Sequence, residues 1–111
     1  MPHCIERCDF KWERYARWSA SPPKNLPSSY VREHISFCLM EDEFGAQQIE
    51  RIGVDNILVE TDFPHADSHW PDSHLKVLSR IGHLDAAGQA KVLRGNAERL
   101  LQWTAPDLVA P

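Results

Sequence analysis

Two short, continuously apolar segments with a helical pattern between them constrain this chain more than any other feature. Residues 34–40 (HISFCLM) and 56–61 (NILVET) are too uniformly apolar for strands with one solvated face. Between them, Asp42 can cap a helix that Gly53 can end. The expected apolar face of this helix consists of Phe44, Ile49 and Ile52. Because a strand–helix–strand unit pairs its strands in parallel, the sequence predicts an α/β fold with two parallel strands and flanking helices.

Helical spacing or turn-forming residues account for the rest of the chain. Residues 1–18 carry apolar side chains at helical intervals and predict an amphipathic helix, whereas the proline- and serine-rich residues 19–29 predict a loop. Beyond residue 72, three further helices are expected, the first burying Leu75, Leu78 and Ile81. Asp72 or Ser73 is expected to cap the first of these helices and Asp85 the second, and the third is expected to begin at Asn96. Residues 104–111 are expected to form a tail.

Composition excludes several classes of partner. The formal net charge is −4, and acidic and basic residues are mixed along the 111-residue chain, so neither nucleic acid nor an anionic membrane is an expected partner. No apolar segment approaches the ~18 residues of a membrane span, and residues 1–9 lack the pattern of a secretory signal. The sequence therefore predicts a cytoplasmic protein.

The cysteines and tryptophans have mostly structural interpretations. Cys4, Cys8 and Cys38 form no CxxC pair, and we expect reduced, buried thiols, with a redox or metal role for Cys4 and Cys8 as the alternative. The tryptophans expected in the core or between helices are Trp12, Trp18 and Trp103, whereas Trp70 is expected near a ligand.

Asp62 follows the second apolar segment, where a parallel strand is expected to end. In parallel α/β folds the active site lies at this edge, because the loops that follow the strands converge there. Strand alternation would place Leu58, Glu60 and Asp62 on one face, and such a carboxylate pair needs a cation, an arginine or a raised pKa. The structural alternative is that Asp62 caps the following turn through backbone N–H groups.

Histidines are concentrated in the loop after Asp62. Pro64 stiffens the turn that aims His65 back toward Asp62, which makes His65 the better candidate for a functional histidine. Imidazole and carboxylate groups suit a divalent metal such as zinc, although the loop matches no HExxH, CxxC or EF-hand pattern. The alternative for His69 and His74 is a solvent-exposed side chain.

Three motifs occur in order along the C-terminal part of the chain. They are ETDFPH at residues 60–65, HWPDS at residues 69–73 and GNAERLL at residues 95–101. With these motifs the chain resembles the amidohydrolase-2 family of metal-dependent hydrolases and decarboxylases, which are related to aminocarboxymuconate semialdehyde decarboxylase. The resemblance covers most of residues 30–103 and is to the C-terminal end of that family.

The resemblance implies a (β/α)8 TIM-type barrel, of which residues 30–103 would form the last two βα units. Asp62 would then be the catalytic aspartate that binds a divalent metal, expected to be zinc, or activates its water. His65 and Trp70 would lie near the substrate, and Asn96 would open the terminal helix in a structural role. The implied reaction is hydrolysis of C–N or C–O bonds, or non-oxidative decarboxylation, of a small molecule.

The resemblance implies further metal ligands from an HxH pair on the first strand and from histidines on the middle strands of the barrel. This chain departs from that pattern, because it contains no HxH pair. We therefore expect the isolated chain to be inactive and to need a companion N-terminal chain that supplies the missing strands and histidines. The alternative is a non-catalytic barrel remnant that forms a homo-oligomer or serves as an interaction module.

Overall fold

The computed structural model describes residues 1–106, and within this range it holds seven α-helices and two β-strands. They are α1 (Pro2–Tyr15), α2 (Pro27–His34), β1 (Phe37–Leu39), α3 (Glu43–Gln47), α4 (Ile49–Ile52), β2 (Ile57–Val59), α5 (Ser73–Ile81), α6 (Ala86–Ala90) and α7 (Asn96–Leu101). Short 3-10 turns span Ala16–Trp18 and Val54–Asn56, and a π-helical segment spans Lys91–Gly95. Most of the tail expected over residues 104–111 lies outside the described residues.

The two strands pair in parallel, which confirms the predicted α/β unit. Phe37 lies opposite Ile57, and Leu39 lies opposite Val59. Both strands are shorter than the apolar segments that predicted them, because His34 still belongs to α2 and Asn56 to a 3-10 turn. The carboxyl ends of β1 and β2 therefore meet at one edge of a two-stranded sheet.

The connection between the strands contains two short helices in place of the single one expected. Asp42 caps α3 as predicted, since its Oδ1 accepts a hydrogen bond of 2.9 Å from the Gly45 N–H. Gly53 ends α4 with a φ of +113°, a conformation that favours glycine. Ile49 and Ile52 are buried as expected, but the prediction for Phe44 is wrong, because its side chain is 66% exposed.

A helix missed by the sequence prediction begins inside the expected loop at residues 19–29. Proline suits the first position of a helix, where its missing N–H is not needed, and Pro27 begins α2 in this way. The Ser28 N–H then donates a hydrogen bond of 2.8 Å to the Asp9 carboxylate of α1. This bond links the N-terminal helix to α2, and the loop ends at Leu26.

The C-terminal helices lie where they were expected, but the buried face of α5 differs. Leu75 and Leu78 are exposed, and the buried residues of the helix are Ser73, Val77 and Ile81. These lie at intervals of four residues and so occupy one side of the helix. Of the three residues predicted to be buried, Ile81 is buried and the two leucines are not, because the face that meets the core runs through Val77.

The core lies between the sheet and the helices on one side of it. Its buried side chains are Leu39, Ala46, Ile49, Ile52, Ile57, Val77, Ile81, Leu84 and Val92. Two buried asparagines join the elements around it. The Asn56 Nδ2 donates hydrogen bonds to the Arg32 and Ile35 carbonyls, and the Asn96 Nδ2 donates to the Val54 and Ile57 carbonyls, all at 2.7–2.8 Å. The structural role expected for Asn96 thus has a physical basis.

Several residues expected in the interior lie at the surface. Cys4, Cys8 and Cys38 are all exposed free thiols, so the expectation of buried cysteines is wrong. Trp18 and Trp103 are exposed as well. For Cys4 and Cys8 the physical reason is that α1 has no fully buried residue, so its helical pattern covers little of the core. Within residues 1–106 no helix is long and apolar enough to cross a membrane.

Candidate functional site

Asp62 lies just beyond the carboxyl end of β2 and has a left-handed backbone. Its φ is +51°, a region that few residues other than glycine adopt and that aspartate tolerates better than most. Because β2 ends at Val59, strand alternation does not extend to Asp62. Alternation therefore gives no basis for placing Asp62 and Glu60 on the same face of the sheet. Strained backbone of this kind is common at functional sites.

His65 turns back onto Asp62, as the sequence predicted. The His65 N–H donates a hydrogen bond of 2.8 Å to the Asp62 carbonyl, which closes a tight turn. The His65 Nδ1 lies 2.8 Å from the Asp62 Oδ2. The Asp62 carboxylate therefore binds the imidazole, and among the described contacts it accepts no backbone N–H as a turn cap would.

The Asp62 carboxylate changes the proton affinity of His65. The hydrogen bond to Asp62 and, after it, the negative charge of that carboxylate raise the pKa of His65, and Asp67 adds to the same effect. The imidazole is 72% exposed, so solvent screens part of this interaction. The pair provides an acidic and a basic group in direct contact at the edge of the sheet.

The loop after Asp62 is held by its own hydrogen bonds. The Ser68 hydroxyl donates to the Thr61 carbonyl at 2.6 Å and accepts from the Trp70 N–H at 3.3 Å. The Trp70 ring packs against Phe63, with 5.3 Å between ring centroids. Both rings are exposed, so they form an apolar surface in the same loop as the Asp62–His65 pair.

Comparison with known proteins identifies a protein family that this sequence matches. The sequence profile of a family described as amidohydrolase matches residues 8–103. The chain belongs to the amidohydrolase family. A search of curated proteins finds no significant match.

This amidohydrolase chain contains a second polar cluster that the sequence prediction missed. Glu41 follows β1 and contacts His69 Nε2, while the Lys76 Nζ lies 2.8 Å from His69 Nδ1. Arg80 and Lys76 of α5 also lie within 4 Å of the Glu41 carboxylate, at 3.9 and 3.5 Å. His69 is therefore a half-buried, hydrogen-bonded residue that joins the loop to β1 and α5.

A sequence signal for this cluster existed. Glu41 stands two residues after β1, much as Asp62 stands three residues after β2, and the ends of parallel strands meet at one edge. His74, by contrast, lies apart from this cluster and lines a cavity beside β2. Among the described contacts, none joins His3, His34, His74 or His83 to the Asp62–His65 pair.

The residues of this amidohydrolase chain do not fit a self-contained metal centre. A catalytic zinc takes about three protein ligands and an open position. Within residues 1–106 no three His, Cys, Asp or Glu side chains converge in a geometry that would hold an ion. Asp62 and His65 supply two donors at most, and one nitrogen of His65 already faces the carboxylate.

Proposed function

We propose that this chain is the C-terminal portion of a metal-dependent amidohydrolase-like enzyme and contributes the last two βα units of a (β/α)8 barrel. The observation that carries this proposal is the Asp62–His65 pair at the carboxyl end of a parallel strand, in a chain of this family. The carboxyl ends of strands are the catalytic face of such barrels. The reaction is hydrolysis of a C–N or C–O bond, or non-oxidative decarboxylation.

Asp62 is the proposed catalytic residue. In the complete enzyme it serves as one ligand of a divalent metal, zinc being the first candidate, or as the group that moves a proton at its Oδ2 atom. His65 holds that carboxylate in place through Nδ1 and, with Trp70, contacts a small-molecule substrate. The exposed rings of Trp70 and Phe63 offer that substrate an apolar surface.

The isolated chain is proposed to be inactive. Its own side chains supply too few ligands for a metal centre, and within the described residues each strand has only one strand neighbour. A companion chain that carries the HxH strand and the middle-strand histidines would supply both.

Co-expression tests this proposal. The chain would be produced alone and together with the N-terminal barrel strands of an amidohydrolase-family protein, and the products assayed for complex formation, metal content, hydrolysis and decarboxylation. We expect activity only in the complex, and a loss of at least a hundredfold in Asp62→Asn. Asp55→Asn, which changes an exposed carboxylate outside the site, serves as the matched control. A stable complex without activity, or no complex at all, would contradict the proposal.

A second candidate is a non-catalytic, self-associating barrel remnant. Large apolar side chains are exposed, among them Phe44, Leu75, Leu78 and Trp103. Exposed apolar patches and unpaired strand edges favour association. Size-exclusion chromatography with light scattering distinguishes the candidates, because a concentration-independent monomer would exclude the remnant that pairs with itself.

A further inference from the structure

A cavity of about 400 Å³ lies between the carboxyl end of β2 and the first turn of α5. Small-molecule sites commonly have volumes of about 300–1,000 Å³. Val59, Val77 and Leu93 give this cavity apolar walls, and Ser73 and His74 add polar groups at one end. Because Val59 and Val77 pack with the core, the cavity lies on the helical side of the sheet. We call it the Ser73 cavity.

The Ser73 hydroxyl is buried and has no hydrogen-bond partner among the described residues. The residue is 6% exposed, and within residues 1–106 its Oγ makes no hydrogen bond. Buried polar atoms are nearly always hydrogen-bonded, since an unsatisfied one is costly. Because Ser73 lines the cavity and its hydroxyl is unpartnered in the described part of the chain, we take the missing bond to point to a ligand.

The backbone around Ser73 adds further donors. Ser73 and His74 are the first two residues of α5, and their N–H groups have no acceptor among the described contacts. Asp72 stands at the capping position, but its side chain makes no capping hydrogen bond. Helix N-termini attract anions, because the free N–H groups and the helix dipole both favour negative charge. The first turn of α5 thus offers, beside the cavity, three hydrogen-bond donors without acceptors within residues 1–106.

Glu60 also borders the cavity and would oppose an anion if its carboxylate pointed inward. Desolvation and, after it, the Glu60 carboxylate raise the pKa of the Cys38 thiol, which places that carboxylate near Cys38. Cys38 pairs with Leu58 and so lies on the face of the sheet opposite Val59. The influence of Glu60 on Cys38 therefore indicates that its carboxylate lies toward the face of the sheet opposite Val59.

We propose that the Ser73 cavity binds a small organic carboxylate, with the carboxylate on Ser73 Oγ and the first N–H groups of α5 and the apolar body against Val59, Val77 and Leu93. The apolar walls favour a carboxylate that carries a hydrocarbon body over a bare phosphate. None of these residues takes part in the Asp62–His65 pair, so the site goes beyond the proposed function.

Amide-resolved NMR of the full chain tests this site with benzoate as the probe. We expect saturable shifts of the Ser73 and His74 amides, and binding at least tenfold weaker in Ser73→Ala. The matched control is Ser79→Ala, because the Ser79 hydroxyl of the same helix donates to the Lys76 carbonyl, and Lys76 does not border the cavity. Unchanged binding in Ser73→Ala, or equal weakening in Ser79→Ala, would overturn the proposal.

Two further probes keep the test independent of any variant. Benzyl alcohol has the apolar body without the charge, and inorganic phosphate has the charge without the body. We expect each to bind the unmodified chain at least tenfold more weakly than benzoate. If benzyl alcohol bound as tightly as benzoate, the site would not recognise the negative charge. If phosphate bound as tightly as benzoate, the apolar walls would not contribute to binding. Either result would overturn the proposal. Failure here leaves the Asp62 proposal unaffected, because that proposal uses other side chains.

Discussion

A single hydrogen bond between Asp62 and His65 determines the electrostatics of the candidate site. It joins the Asp62 Oδ2 to the His65 Nδ1 at 2.8 Å. Because it raises the pKa of His65, protonation of the imidazole stabilises the folded chain. That contribution is fully present below the pKa of His65 in the unfolded chain and is lost as the pH rises through its folded-state pKa.

Asp62→Asn should lower the pKa of His65 toward the ordinary histidine value of about 6.5, because both the charge and the strongest hydrogen-bond acceptor are removed. An NMR titration of the His65 ring protons measures the change. Asp67→Asn is the matched control and should lower the pKa less, since Asp67 acts only through its charge. A His65 pKa that is unchanged in Asp62→Asn would show that Asp62 and His65 do not form this hydrogen bond.

Predictions about single residues succeeded where residues close in the sequence determine the contact. Pro64 lies between Asp62 and His65, so the turn that brings the two side chains together could be inferred from neighbouring residues. The position of Glu41 at the same edge of the sheet could also be inferred, but its contact with His69 could not, because that contact depends on how the loop packs against the strand ends in three dimensions. The exposure of Cys38 likewise depends on what covers the sheet.

Buried asparagines join the elements of the fold. The Asn96 Nδ2 donates to the Val54 and Ile57 carbonyls, both at 2.8 Å, and so holds the first turn of α7 against β2 and the 3-10 turn before it. Asn96→Ala leaves both carbonyls without this donor and should lower the free energy of unfolding by about 2–4 kcal/mol. Urea denaturation measures the loss. Asn25→Ala removes an exposed amide and should change stability by less than about 0.5 kcal/mol; similar losses in both variants would contradict the account.

Two aspartates at helix N-termini form a matched pair. The Asp85 Oδ1 accepts the Gly88 N–H at 2.7 Å, whereas the Asp72 side chain makes no capping bond to α5. Asp85→Ala should therefore destabilise the chain by about 1 kcal/mol, and Asp72→Ala by less than half as much. Thermal unfolding of the two variants checks the difference, and an equal or reversed effect would refute it.

Helix caps and apolar segments in the sequence predicted several helices and both strands. They did not predict how these helices and strands pack against one another. The Asp42 and Asp85 caps and the two parallel strands follow from residues close together in the chain. Pro27 suits the first position of α2, but the hydrogen bond from the Ser28 N–H to Asp9 that joins this helix to α1 spans nineteen residues. The buried face of α5 depends on the core it meets, which leucine spacing alone does not specify.

The described part of the molecule consists of a two-stranded sheet with helices packed on one core, and each strand has one strand neighbour. The (β/α)8 barrel that the resemblance implies closes with eight strands and about 250 residues, so in our proposal this chain represents a portion of that architecture. The family follows from motifs at residues 60–65, 69–73 and 95–101, and the profile match confirms it. Within residues 1–106 the side chains form no complete metal site, and in our proposal the further ligands come from a companion chain.

Zinc bound per chain tests the central claim most directly. Equilibrium dialysis followed by elemental analysis would be applied to the isolated chain, to its complex with a companion chain that carries the HxH strand, and to Asp62→Asn in both. We predict no stoichiometric zinc at micromolar concentration in the isolated chain, and one zinc in the complex that Asp62→Asn removes. One zinc per isolated chain at micromolar affinity, or a complex whose zinc does not depend on Asp62, would contradict the account.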